Sequence, residues 1–85
     1  MQNNIKELTL LLLYLTSWEE KGYGYDDNGR LDEVKIKRSW KGYPFEILDE
    51  LENDGYIHQS KKSKSVTISK NGEKIAKKLI EKYLK

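Results

Sequence analysis

An 85-residue chain with 36% hydrophobic and 35% charged residues holds one small domain, burying only about 60–65% of the surface its unfolded form exposes. It contains no cysteine, which excludes disulfides and thiolate metal sites and leaves packing or association to supply stability. The net charge of +2 is too small to demand a nucleic-acid partner. It is unevenly spread, however: residues 1–29 carry two lysines against five acids, and residues 30–85 carry fourteen Lys or Arg against nine acids.

The first predicted element is a helix over residues 4–18, with Asn3 or Asn4 as its N-cap and Glu7 in its first turn. Ile5, Leu8, Leu12 and Leu15 make one stripe along it, Leu11, Tyr14 and Trp18 lie beside that stripe, and Leu10 and Leu13 fall on other faces. A helix apolar nearly all round is buried on more than one side. In so small a domain this means central placement or a subunit interface. The run Leu8 to Leu15 is far too short to span a bilayer. Thr16-Ser17-Trp18-Glu19 is a poor signal-peptide cleavage site. A cytoplasmic protein without membrane association is expected.

Residues 19–30 hold three glycines and several turn formers, and read as a loop. Its Asp26-Asp27-Asn28-Gly29 run lacks the alternating ligands and the bidentate Glu of a calcium loop, so a solvated turn is the expectation. Residues 31–41 fit either an edge strand, from the alternation Val34-Lys35-Ile36-Lys37, or a short helix opened by Leu31, Val34 and Lys35. The helix is preferred. Pro44 suits the first turn of the next helix, predicted over 44–54 with Phe45, Leu48 and Leu51 facing the core. That helix stops at Gly55, where a left-handed cap needs no β-carbon. A strand at Tyr56-Ile57, a turn through Lys61-Lys62-Ser63-Lys64 and the alternating strand Val66-Thr67-Ile68 predict a hairpin over 56–69. A last helix over 72–84 carries Ile75, Ala76, Leu79, Ile80, Tyr83 and Leu84 on one face and lysines elsewhere.

A helix followed by a two-stranded wing is the second half of a winged helix. The segment Gly42 to Leu79 resembles winged-helix regulators of the MarR and PadR types, on Gly42, Phe45, Leu48, Leu51, Glu52, Gly55, Tyr56 and Ile57. Ser69-Lys70-Asn71-Gly72 stands where their Thr-Glu-x-Gly phrase ends the wing. The whole chain, with Tyr14-Leu15-Thr16, Arg38-Ser39-Trp40-Lys41-Gly42 and Lys64-Ser65-Val66, resembles more closely a small bacterial family of unassigned function. The expected fold is therefore one α+β winged-helix domain over residues 1–85, helix-turn-helix-like, with three main helices and a β-hairpin wing. The resemblance implies DNA binding and transcription regulation. It also implies a homodimer formed through terminal helices, which the excess apolar surface of the first and last helices supports independently.

No catalytic constellation is present. His58, the only histidine, has no nucleophile or carboxylate near it in sequence, and there is no phosphate loop, zinc spacing or nucleophile motif. No enzyme, cofactor or metal is expected. Binding to double-stranded DNA would rest on two basic clusters: Lys35, Lys37, Arg38 and Lys41 before the third helix, and Lys61, Lys62 and Lys64 at the wing tip. Against it, the helix that would enter the major groove carries Glu46, Asp49, Glu50, Glu52 and Asp54 and no Lys or Arg. Carboxylates beside phosphates repel. The alternative is a protein-interaction module that meets a basic partner through Glu46, Asp49 and Glu50, or uses the aromatic group of Trp40, Tyr43, Tyr23 and Tyr25.

Overall fold

The structure, a computed structural model, describes residues 2–25, 28–60 and 62–85, with Gln2, Asn3 and Tyr25 described by backbone alone. Its elements are α1 (Gln2–Leu15), β1 (Trp18–Tyr25), β2 (Leu31–Trp40), α2 (Phe45–Asn53), β3 (Ile57–Gln59), β4 (Ser65–Ile68) and α3 (Lys70–Tyr83). The class is α+β: three helices and one four-stranded antiparallel sheet in the order β1-β2-β4-β3.

α1 begins before the expected boundary, so Asn3 and Asn4 lie inside it and do not cap it. It also ends three residues early. Thr16 Oγ1 donates to the carbonyl of Leu12 (2.8 Å) and Ser17 Oγ to that of Tyr14 (2.6 Å), so two hydroxyls satisfy the carbonyls left at the helix end. Trp18 then opens a strand.

The largest correction concerns residues 19–40. The expected loop and the preferred helix are instead the two strands of one long hairpin, paired in register from Trp18 opposite Arg38 to Tyr25 opposite Leu31. The alternation of Val34 and Ile36 prevails over the helical spacing of Leu31, Val34 and Lys35 because each of the two finds a place across the pair. Ile36 lies over Gly22, where an added Cβ would collide with it, and Val34 lies over Gly24. The two glycines thus serve the strand by leaving room for branched side chains opposite. Gly29, at φ +78°, supplies the left-handed residue of the connecting turn. Asp26 and Asp27, weighed above as part of a calcium loop, lie outside the described residues. Leu31 to Lys35 are exposed on both faces, so the outer part of this hairpin stands in solvent as a ribbon.

α2 follows the expected design, with one exception. Leu48 and Leu51 are buried, whereas Phe45 is 73% exposed at the first position of the helix. Ile47 packs against the core in its place. The helix ends as anticipated: Gly55 sits at φ +82°, its N–H reaches the carbonyl of Glu52, and the N–H of Tyr56 reaches that of Leu51. That pair of bonds is the Schellman arrangement. β3 and β4 then pair antiparallel, as the hairpin over 56–69 required.

α3 is fastened to the end of α2. Ser69 Oγ accepts from the N–H of Gly72 (2.9 Å) as the N-cap and donates to the carbonyl of Gly55 (2.6 Å). The Tyr56 carbonyl presses so closely on Gly72 that no Cβ would fit there. The phrase Ser69-Lys70-Asn71-Gly72 is therefore a splice between two helices.

The core gathers Leu10 and Leu13 of α1, Leu48 and Leu51 of α2, Ile57, Val66 and Ile68 of the sheet, and Ala76 and Leu79 of α3. Val66, Ile68 and Ile57 point to one face of the sheet, and the helices pack there. On the same face Ser39 bonds to Thr16 Oγ1 (3.1 Å) and the Lys37 ammonium lies 4.9 Å from the Tyr14 ring centre. Alternation sends Trp18, Glu20, Arg38, Trp40, His58 and Thr67 to the opposite face.

Candidate functional site

The face of the sheet turned away from the helices collects the most distinctive chemistry. Trp18 and Trp40 come from neighbouring strands and sit diagonally across the β1–β2 pair. Their ring centres are 4.9 Å apart with planes inclined at 45°, within the range where aromatic pairs attract. Trp18 Nε1 donates to Glu20 Oε1 at 2.9 Å, which fixes its ring. Trp40 is 62% exposed. A large indole left open on a folded sheet is available for contact.

Beside the indoles lies Arg38. Its Nε donates to Ser65 Oγ (3.1 Å), Nη1 to Thr67 Oγ1 (3.3 Å) and Nη2 to Ser63 Oγ (3.1 Å) and Ser65 Oγ. Ser63 and Ser65 are themselves linked, Oγ to Oγ, at 2.9 Å. The Glu20 carboxylate stands 3.8 Å from Arg38 Nε. Neutral hydroxyls thus hold the guanidinium in a fixed plane, with one carboxylate at long range. The group is a positioned cation on an aromatic-bearing face.

The basic residues singled out in the sequence do not form one stripe. Lys37 points to the helix face, over Tyr14 and 3.8 Å from Glu19, and Lys35 is on that same face opposite Lys21. Arg38 is on the other face. Lys41 reaches the carbonyl of Ser60 with Nζ (2.9 Å), and its N–H binds the carbonyl of Lys64 (2.8 Å), so Lys41 and Lys64 meet beside the β3–β4 turn. Lys62 and Lys64 are exposed in that turn, and Lys61 lies outside the described residues.

The acidic helix is partly occupied by structural bonds. Asp49 Oδ1 accepts from Gln59 Nε2 (3.0 Å), and Glu52 accepts from the Gln59 backbone N–H (2.9 Å), tying α2 to β3. Glu46 and Glu50 are exposed and flank a hollow of about 370 Å³ floored by Ile5 and Ile47. Lys6, bonded to Asp54 at 2.6 Å and near Glu50, has its pKa raised, chiefly by the Asp54 bond.

The expected aromatic group is dispersed. Trp40 is on the open sheet face, Tyr43 packs against the core, and Tyr23 is 74% exposed on the ribbon, pointing to the helix side of the sheet. The side chain of Tyr25 lies outside the described residues. Sequence reasoning missed Trp18, Glu20, Ser63, Ser65 and Thr67 as members of one site. The readable signal was period-2 spacing: 36, 38 and 40 on one segment, 63, 65 and 67 on another.

Among the described residues, no helix is long and apolar enough to cross a membrane. No curated protein and no solved structure matches the chain. A family described as a domain of unknown function (DUF6429) matches residues 1–85 from end to end, and the chain belongs to that family.

Proposed function

We propose that this protein is an interaction module built on winged-helix lines, which binds a protein partner through the Trp18, Arg38 and Trp40 face of its sheet. In this reading α2, Gly55 and the β3–β4 hairpin are the winged half of the domain. The β1–β2 ribbon takes the place of the helix that would precede a recognition helix. One observation carries the proposal: an exposed Trp40 packed at a tilt against Trp18, beside a guanidinium held rigid by hydroxyls. Tryptophan and arginine are the residues that most often dominate binding energy at protein interfaces, and pre-ordered side chains lose little entropy on contact.

A second reading, duplex DNA binding and transcription regulation, is favoured by the meeting of Lys41, Lys62 and Lys64 at the β3–β4 turn. Lys35 and Lys37 do not join that group, and the outward face of α2 carries Glu46, Asp49 and Glu50. Two arms separate the readings. In affinity capture from source cells, a protein retained by the wild type and by the K62Q/K64Q variant, but lost with W40A, is the expected result. On mixed duplex DNA at about 50 mM salt, where phosphate contacts are strong, no retention is expected. Retention that K62Q/K64Q abolishes and W40A leaves intact would replace the module reading with the DNA one.

A further inference from the structure

The hydroxyl cluster around Arg38 holds more donors than it has acceptors for. Five donors converge on the four lone pairs of Ser63 Oγ and Ser65 Oγ. They are Arg38 Nε to Ser65, the two N–H groups of Arg38 Nη2 to Ser63 and Ser65, the Ser65 backbone N–H to Ser63 (3.1 Å), and one serine hydroxyl to the other. Thr67 Oγ1 accepts from Arg38 Nη1. Among the described residues, three hydrogens of the cluster have no acceptor: the other serine O–H, the Thr67 O–H and the second N–H of Nη1. Glu20 does not supply one. Its Oε1 is engaged by Trp18 Nε1, and its Oε2 stays 3.8 Å from Arg38 Nε, beyond hydrogen-bond length. Ser65 is only 6% exposed, and a buried polar group with an unspent hydrogen calls for a partner. A positively charged cluster short of acceptors is completed by an oxyanion.

We propose that this cluster receives a phosphoryl group, carried into it on a phosphorylated side chain of the partner protein. The proposal rests on the Trp18, Arg38 and Trp40 face being the partner site, and it names what the partner brings there. The occupancy of the guanidinium decides between oxyanions. A carboxylate binds arginine best as a fork, on two N–H groups of one edge. Ser65 closes the Nε–Nη2 edge, while Ser63 and Thr67 stand at the Nη2 and Nη1 sides of the other. What remains is three single donors on three different side chains. That set fits the three acceptor oxygens of a phosphoryl group better than the two of a carboxylate.

Charge and position agree with this choice. A phosphoryl group carries about −1.5 to −2 at pH 7, so it competes for Arg38 against the single charge of Glu20. The Arg38 side chain is 25% exposed and is reached without unpacking the sheet. In the β2–β4 register Arg38 lies across from Thr67 and Trp40 across from Ser65, so the exposed indole borders the cluster. A residue flanking the phosphorylated one would pack on that indole. His58, exposed across from Thr67 on the same face, adds a ring N–H at the margin.

The test follows backbone amide shifts of the full, isotope-labelled chain as capped tripeptides are added. Ala-pSer-Ala should shift the Ser65 and Thr67 signals and saturate at millimolar concentration, whereas Ala-Ser-Ala and Ala-Glu-Ala should leave them in place. T67V removes one donor with little change of shape, and should weaken the phosphopeptide about threefold. E20Q keeps an acceptor for Trp18 and removes the competing charge, so it should tighten the phosphopeptide about threefold. A cluster that serves only to join strands would respond to neither. Absence of a saturable shift overturns the proposal, as do T67V and E20Q variants that both bind like the wild type. An equal response to Ala-Glu-Ala would give the cluster to carboxylates, and inorganic phosphate binding as tightly as the peptide would give it to the free ion. Either result overturns the proposal. Failure of the partner reading looks different. A captured protein that depends on Trp40 but stays bound after phosphatase treatment overturns the phosphoryl proposal alone. Saturable phosphopeptide binding alongside a captured protein that W40A still retains overturns the Trp40 reading and leaves the phosphoryl site standing.

Discussion

Arg38 is the residue on which the open sheet face turns. It joins β2 to β4 through three hydroxyls, and Ser65 beneath it is almost fully buried. Truncating it removes charge-assisted bonds and opens these hydroxyls to water. R38A is expected to cost about 1–3 kcal/mol in urea unfolding. R38K should recover only part of that loss, since a point ammonium cannot span Ser63, Ser65 and Thr67 as a planar fork does. Equal stability of R38A and the wild type would mean that the hydroxyl cluster contributes nothing. Phe45 shows the limit of arguing residue by residue. Its angular position on α2 matches that of the core leucines, yet at the first turn of the helix it overhangs the edge of the core.

Among the elements, the joint between α2 and α3 is held by backbone contact. Gly72 lies against the Tyr56 carbonyl, a backbone group that cannot move aside without disturbing the Gly55 cap and the Ser69 N-cap together. G72A is therefore expected to cost about 2–3 kcal/mol. G24A, whose new Cβ would meet Val34 methyl groups at an ordinary 3.7 Å, should stay within about 0.5 kcal/mol. Paired denaturant titrations check both. This joint was legible in the sequence because its signals are local: a glycine after a helix, an alternating strand, a serine before a second helix. The β1–β2 ribbon was not. Gly22 and Gly24 are turn formers when read alone, and they make sense in a strand only once Ile36 and Val34 are known to lie across them. The candidate site was legible only in part: period-2 spacing puts residues of one segment on one face, but Trp18, Arg38 and Ser65 come together through registers between three strands, which that spacing does not fix.

At the scale of the molecule, Glu7 links the first helix to the last. Its carboxylate accepts from Lys82 Nζ (2.9 Å) and Tyr83 OH (2.8 Å). The Lys82 bond first, and the Tyr83 bond second, hold its pKa below the ordinary 4.5. A carboxylate depressed in the folded state contributes stability that is complete above its unfolded value and is lost as pH falls through its folded value. Lys82 and Tyr83, both raised above their ordinary 10.5 and 10.0 chiefly by Glu7, contribute stability below those values that fades as pH rises through the folded ones. E7Q should therefore melt below the wild type at pH 7. The difference should shrink below pH 4.5 and again above pH 10. A difference in melting temperature that is constant across the pH range would show that the contact is uncoupled from folding.

The strand order β1-β2-β4-β3 also decides how far assembly can grow. β3 is three residues long and offers little to an added strand, whereas β1 presents eight residues along one margin of the sheet. Glu19, Glu20 and Lys21 put charge on both faces of that margin, and Gly22 and Gly24 give an incoming strand nothing to grip. Head-to-tail addition along a sheet margin has no natural end and leads to fibres, whereas pairing about a two-fold axis closes on itself. With its long margin blunted in this way, the sheet gives open-ended growth no template to start from.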